Sequence, residues 1–284
     1  DMVAASAPSI GHCNTMGTAS SMNSIAEALG MSLTGCAAIP APYKARGQIS
    51  FETGKRIVEM VSENLTPSKI MNKKSFENAI VVASAIGGSS NCPPHLSAIA
   101  KHMGVKIDLN DWQKLGHNIP LLVNCKPAGE YLMEKFYRGG GVPAVMRELI
   151  KEKKLHTSLM TVSGKTVGQN LKNKINLDTD VIKSFDSPIV ENAGFIVMRS
   201  NFFNSAVMKT SVISEEFRER YLSDPEKPNV FFSRAVVFEG PEDYHRRINS
   251  SKLRVDENSI LIIRGCGPVG YPGSAEVVNM QPPN

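Results

Sequence analysis

The chain has 284 residues, 42% of them hydrophobic and 21% charged, with a net charge of +5. That is enough ordinary globular sequence for one or two cores, and it excludes a disordered or low-complexity chain. Acids and bases interleave, as from Glu148 to Lys154 and from Glu215 to Arg220, so there is no basic stripe with aromatic partners to bind nucleic acid. A mild positive balance suits an anionic small-molecule substrate.

No apolar run reaches the roughly 18 to 20 residues of a membrane span. Residues 1–8 lack the basic and apolar regions of a signal peptide. Both point to a cytoplasmic protein.

In chain order, Met16, Ala19, Met22, Ile25, Ala26 and Leu29 recur at spacings of three and four, which predicts a helix closing at Gly30. Residues 47–64 set Phe51, Ile57, Val58, Val61 and Leu65 on one face and Lys55, Arg56, Glu59 and Glu63 opposite, a second amphipathic helix. Thr66-Pro67 reads as an N-cap followed by proline at the first helical position. Helices are predicted over 75–86 and 93–103, split by Gly87-Gly88-Ser89-Ser90-Asn91, with Gly104 closing the second. Val105 to Ile107 and Leu121 to Cys125 read as short buried strands, and 142–153 as another helix.

Past about residue 157 the texture changes. Residues 157–162, 194–199, 206–210, 230–238 and 259–264 are β-type runs parted by Asp, Asn, Gly and Pro, with short helices near 214–222 and 241–249. The fold class is α/β, with a domain boundary near 157 that separates residues 1–156 from 157–284.

Cys13 immediately precedes the first predicted helix. A thiol at a helix N-terminus faces unpaired amide N–H groups and the positive end of the dipole, which favours its thiolate as nucleophile or metal ligand; the alternative is a buried cysteine acting as a small hydrophobe. The five cysteines, at 13, 36, 92, 125 and 266, form no CxxC pair and are odd in number, so reduced thiols are expected. Gly87 to Asn91 precedes a helix and offers amide and hydroxyl donors, or is a plain interhelical turn. His12 adjoins Cys13 as a hydrogen-bonding neighbour, His95 and His102 stand two turns apart on one helix, and His117, His156 and His245 have no partner pattern. Glu276 lies in a turn-rich stretch with glycines at 265, 267, 270 and 273, either a hard oxygen ligand for a metal or a solvated loop residue. There is neither a Gly-x-Ser-x-Gly elbow nor a dinucleotide-binding glycine motif.

The runs Gly11-His12-Cys13-Asn14-Thr15-Met16-Gly17-Thr18-Ala19-Ser20-Ser21-Met22-Asn23, Gly35-Cys36-Ala37-Ala38-Ile39-Pro40-Ala41-Pro42, Ile86-Gly87-Gly88-Ser89-Ser90-Asn91 and Ile263-Arg264-Gly265-Cys266-Gly267-Pro268-Val269-Gly270-Tyr271-Pro272-Gly273 closely resemble the dihydroxy-acid and phosphogluconate dehydratase family, in its sugar-acid branch. The resemblance implies a hydro-lyase that converts an aldonate such as arabinonate or xylonate to a 2-keto-3-deoxy acid. It implies an iron–sulfur cluster, [2Fe–2S] rather than [4Fe–4S], with Cys13 as its third cysteine ligand, and Mg2+ held in part by Glu276. A cluster on three cysteines leaves an iron position open as a Lewis acid.

Cys36, Cys92, Cys125 and Cys266 match no ligand position of that family and read as structural thiols. Ser90 departs from the family's usual threonine but keeps the hydroxyl. The resemblance further implies part of an α/β sandwich domain followed by a β-barrel-like domain, with the site between them, in a homo-oligomer. On this reading the chain is a central piece, inactive alone. Two cluster cysteines and most magnesium ligands lie upstream, and a serine base lies downstream, with no catalytic residue in this segment. The rival readings are a branched-chain dihydroxy-acid dehydratase and a non-catalytic remnant serving as an assembly module.

Overall fold

The apolar periodicity after Cys13 forms helix α1 (Thr18–Ala28) in a computed structural model that describes residues 10–199, 201, 206–265 and 283. Ile25, Ala28 and the small residues Ser20, Ser21 and Ser24 are buried on it. Met16 falls just outside the helix; it is nonetheless buried, and its amide donates to the Lys126 carbonyl at 2.8 Å. Gly30 follows with φ +82, and a Cβ there would stand 3.2 Å from the Met160 carbonyl oxygen, so the turn that ends α1 requires glycine.

Helix α2 (Lys44–Ser62) forms where the amphipathic pattern predicts, but with its faces reversed. An amphipathic surface helix ordinarily turns its apolar stripe to the core. Here Phe51, Ile57, Val58 and Val61 are 54% to 76% exposed, and Met60 is the buried residue. Arg56 lies inward, donating from Nε to the Val162 carbonyl and pairing with Glu59 and Glu63.

After the single turn α3 (Pro67–Ile70), α4 (Lys73–Ala85) begins at a capping box in which Asn72 accepts from the amides of Lys74 and Ser75. Nearly every residue from Ser75 to Ala85 is buried. It packs against α1, α5 (Cys92–His102), a π-helical turn at Trp112–Gly116 that follows α6 (Leu109–Asp111), and α8 (Gly141–Lys151) beyond α7 (Met133–Arg138). The core joins Phe76, Ile80, Leu96, Trp112, Phe136, Val145 and Phe195, with Trp112 edge-on to Phe195 at 4.9 Å. Leu171 of α9 (Val167–Leu171) and the buried Ile182 belong to the same core.

Three of the expected strands are not ladders. Leu121 to Cys125 makes single bridges to Val190, Ile182 and Tyr131, and Val105 to Ile107 has no strand partner. Thr157 to Val162 likewise contributes one bridge, Met160 to Thr166. Leu121 to Cys125 is buried in the helical core, which satisfies its hydrophobic demand without a sheet, whereas Val105, Ile107 and Leu159 are half-buried against that core. The later runs do pair. Strands β1 (Phe195–Met198) and β2 (Ala206–Lys209) are antiparallel, Phe195 facing Lys209.

The chain divides into two compact units, Asp1–Val212 and Ile213–Asn284. In the second, after α10 (Glu215–Tyr221), β3 (Arg234–Phe238) and β4 (Ser259–Ile263) run parallel with α11 (Pro241–Arg247) between them in sequence, and Phe238, Tyr244, Val236 and Ile248 form a small core. Parallel strands require such a crossover. Mixed helix and small sheets make the fold α/β. No described helix is long and apolar enough to cross a membrane.

Candidate functional site

The loop ahead of α1 is fixed on both sides of Cys13. Met16 is anchored in the core, the Asn14 carbonyl accepts from the Met133 amide at 3.2 Å, and the Thr15 carbonyl accepts from the Ser20 hydroxyl at 2.7 Å. Cys13 precedes the N-cap Gly17, and the chain folds back so that a Cβ on Gly17 would sit 3.3 Å from the Cys13 Sγ. Glycine at the cap thus leaves room for the sulfur beside the helix start. Thr15 Oγ1 donates to that sulfur at 3.7 Å, and His12 is tied to the Cys13 carbonyl through Nδ1 and to Asn23 through Nε2. Among the described cysteines Cys13 is the exposed one.

It opens on a cavity of about 370 Å3 between the 10–14 loop, α1 and residues 37–43. The wall at 37–43 is held from behind by Glu27, a buried carboxylate on α1 that accepts from the amides of Gly35 at 2.6 Å and Ala37 at 2.9 Å. Burial pushes the Glu27 carboxyl up to about 7, against the two amides and Lys174, which favour the charged form. On the rim the Tyr43 hydroxyl donates to Glu134, and Arg138 donates to the Tyr43 oxygen at 3.1 Å and to Glu134 at 2.7 Å. Tyr43, then Arg138, hold the Glu134 carboxyl below the usual range, so it stays ionised. Arg46 is turned to the Ile39 carbonyl and the Cys36 sulfur. The cavity therefore offers a thiol, an ionised carboxylate and a phenol, with His12 and Arg46 also in its lining.

The expected site residues are not all in one place. Glu276 and Cys266, with Gly267, Gly270 and Gly273, lie outside the described residues. Burial pushes the Cys92 and Cys125 thiols up to about 12, keeping both protonated. The donors of Gly87 to Asn91 are engaged by α1: the Ser89 amide donates to Ser21 Oγ at 2.9 Å, Ser89 Oγ meets Thr18 Oγ1 at 3.1 Å, and Asn91 Nδ2 donates to Thr18 Oγ1 at 2.7 Å. Lys209 donates to the Gly87 carbonyl at 2.6 Å, and burial draws its ammonium down to about 8. His156 pairs with Glu77 at 2.7 Å, whereas His95, His102 and His245 are exposed and dispersed. Glu27, Tyr43, Glu134 and Arg138 escape a reading by spacing, because α1, the start of α2 and α7 are far apart in sequence; Tyr43 and Glu134 line the cavity, Arg138 bonds to both, and Glu27 stands behind the wall.

No group of three His, Cys, Asp or Glu side chains among the described residues forms a metal site. An accessible thiol without a disulfide partner still suits one coordination position on iron, whose clusters take thiolate sulfur. Cys13 alone offers one thiolate position and does not make a metal site among the described residues.

A family model described as dihydroxy-acid/6-phosphogluconate dehydratase N-terminal matches residues 1–170, and a C-terminal counterpart matches residues 180–284. The chain belongs to the dihydroxy-acid/6-phosphogluconate dehydratase family. Within this family it is 55% identical over 284 residues to a D-xylonate dehydratase of Caulobacter vibrioides, covering 100% of this chain and 48% of that protein. It is 45% identical over 273 residues to an L-arabinonate dehydratase of Rhizobium leguminosarum bv. trifolii, covering 96% of this chain and 45% of the relative. A dihydroxy-acid dehydratase of Caldicellulosiruptor bescii is 37% identical over 273 residues, 96% of this chain and 47% of its own. The chain spans about half the length of the curated relatives it matches.

Proposed function

We propose that the protein carrying this chain is a hydro-lyase acting on a sugar acid of the xylonate or arabinonate class, giving a 2-keto-3-deoxy acid. The observation that carries this reading is the 55% identity to a D-xylonate dehydratase across all 284 residues, against 37% to a dihydroxy-acid dehydratase. The reaction removes the C2 proton and the C3 hydroxyl as water, and the enol so formed ketonises.

In this reading Cys13 holds iron of a [2Fe–2S] cluster and Glu276 contributes to a magnesium site. When bound, the iron supplies a Lewis acid for the departing hydroxyl and magnesium a hard cation for the substrate oxygens. The chain's own contribution is a cavity of fixed shape. Glu27 holds its wall through two amides, and Glu134, kept ionised by Tyr43 and Arg138, presents an acceptor for a polyol hydroxyl. The base, a serine, lies outside this segment, so the 284-residue chain alone is inactive. The resemblance further implies that the β3/β4 pair belongs to a larger barrel-like domain.

The test is a substrate panel on the full-length protein under anaerobic conditions, with 2-keto acid formation as the readout. Turnover of an aldonate at least tenfold above a branched-chain dihydroxy acid supports the proposal. The reverse preference, or no dehydration of any aldonate, overturns it.

A further inference from the structure

Five residues on α2 follow spacings of four, three, four and three along one stripe: Gly47, Phe51, Gly54, Val58 and Val61. That repeat is the seam of paired helices. The whole stripe is exposed, opposite the buried Met60. Glycine is the poorest helix former after proline, yet two occupy the stripe, and a Cβ on Gly47 or Gly54 would meet nothing within 4 Å. Among the described residues nothing fills those hollows, which leaves them open to a partner. Beside the stripe Lys55 lies over the Phe51 ring at 5.7 Å and makes a loose pair with Glu52 at 3.9 Å, both side chains well exposed.

We propose that this face packs antiparallel against α2 of a second copy of the chain, about a two-fold axis at Gly54. The stripe is complementary to itself in that arrangement: Phe51 of each copy meets Val58 of the other, Gly47 meets Val61, and the two Gly54 residues let the backbones approach. Charge selects the antiparallel sense. It brings Lys55 of each copy to Glu52 of the other on the same flank, whereas a parallel pair puts the two copies' Lys55 and Glu52 on opposite flanks and loses this cross-pairing. This surface is separate from the cavity at Cys13, and the inference stands whichever acid the enzyme dehydrates.

Sedimentation equilibrium of the full-length protein tests it. Val58→Asp halves the sedimenting mass or raises the dissociation constant of that contact at least 100-fold. Lys55→Glu weakens it about tenfold, and adding Glu52→Lys to Lys55→Glu restores it, a recovery that loss of helix stability would not give. The charge variants decide the matter should Val58→Asp fail to fold. Wild-type association in Val58→Asp and Lys55→Glu, or no recovery in the double variant, overturns the proposal and assigns the face to another segment or another protein.

Discussion

Helices α2 and α4 have opposite relations to water. Both carry large aliphatic residues, yet Val82 on α4 is 0% exposed and Val61 on α2 is 76% exposed. α4 is surrounded by α1, α5, α8 and the 112–116 turn, so its stability derives from this chain's own packing. α2 sends its cation inward, where Arg56 finds the Val162 carbonyl and two glutamates, and leaves its apolar stripe outward. The periodicity of a helix reports that a face will be covered. It does not report by what.

The contrast can be broken or sharpened by substitutions of decreasing size. The largest effect is expected at Glu27, on the buried side. Its folded pKa of about 7 lies above the unfolded value of 4.5, so between these values the folded state holds more protons than the unfolded state and stability falls as pH rises. The span corresponds to about 3 kcal/mol, complete near pH 7. Urea unfolding from pH 4.5 to 8 should show this slope in wild type and lose it in Glu27→Gln; equal slopes in both would refute the burial account.

Next is a matched pair. Val82→Ala should lower unfolding free energy by about 2 kcal/mol, whereas Val61→Ala, assayed at dilutions where copies are apart, should change it by less than about 0.5 kcal/mol. Between them, Asn72→Ala should cost about 1 kcal/mol through loss of the α4 cap. A large effect at Val61 under those conditions would mean that the same subunit covers α2.

Much of this was written locally. The period of Met22, Ile25 and Leu29, the Gly30 stop, the Thr66-Pro67 start and the helices over 75–86, 93–103 and 142–153 each arise from neighbouring residues, and all are present within a few positions. The runs at 194–199, 206–210 and 259–264 likewise became strands. The apolar run at 121–125 misled because burial in a helical core and burial in a sheet make the same demand on side chains. Cys13 was singled out by its surrounding motif, and the structure places it exposed beside a cavity. The Tyr43, Glu134 and Arg138 group was not, since their meeting depends on how α7 and the 37–43 loop are set by the core. The side chain of Glu27 reaches the amides of Gly35 and Ala37 across a turn that no period encodes.

The central claim is that the exposed thiol at the cavity mouth is an iron ligand. Iron and sulfide content, with visible absorbance, of the full-length protein purified anaerobically as wild type and as Cys13→Ser tests it most directly. The expected result is loss of most iron, sulfide and visible absorbance in Cys13→Ser with far-ultraviolet circular dichroism unchanged, because the side chain is outside the core. Iron and sulfide at wild-type levels in that variant would contradict the account.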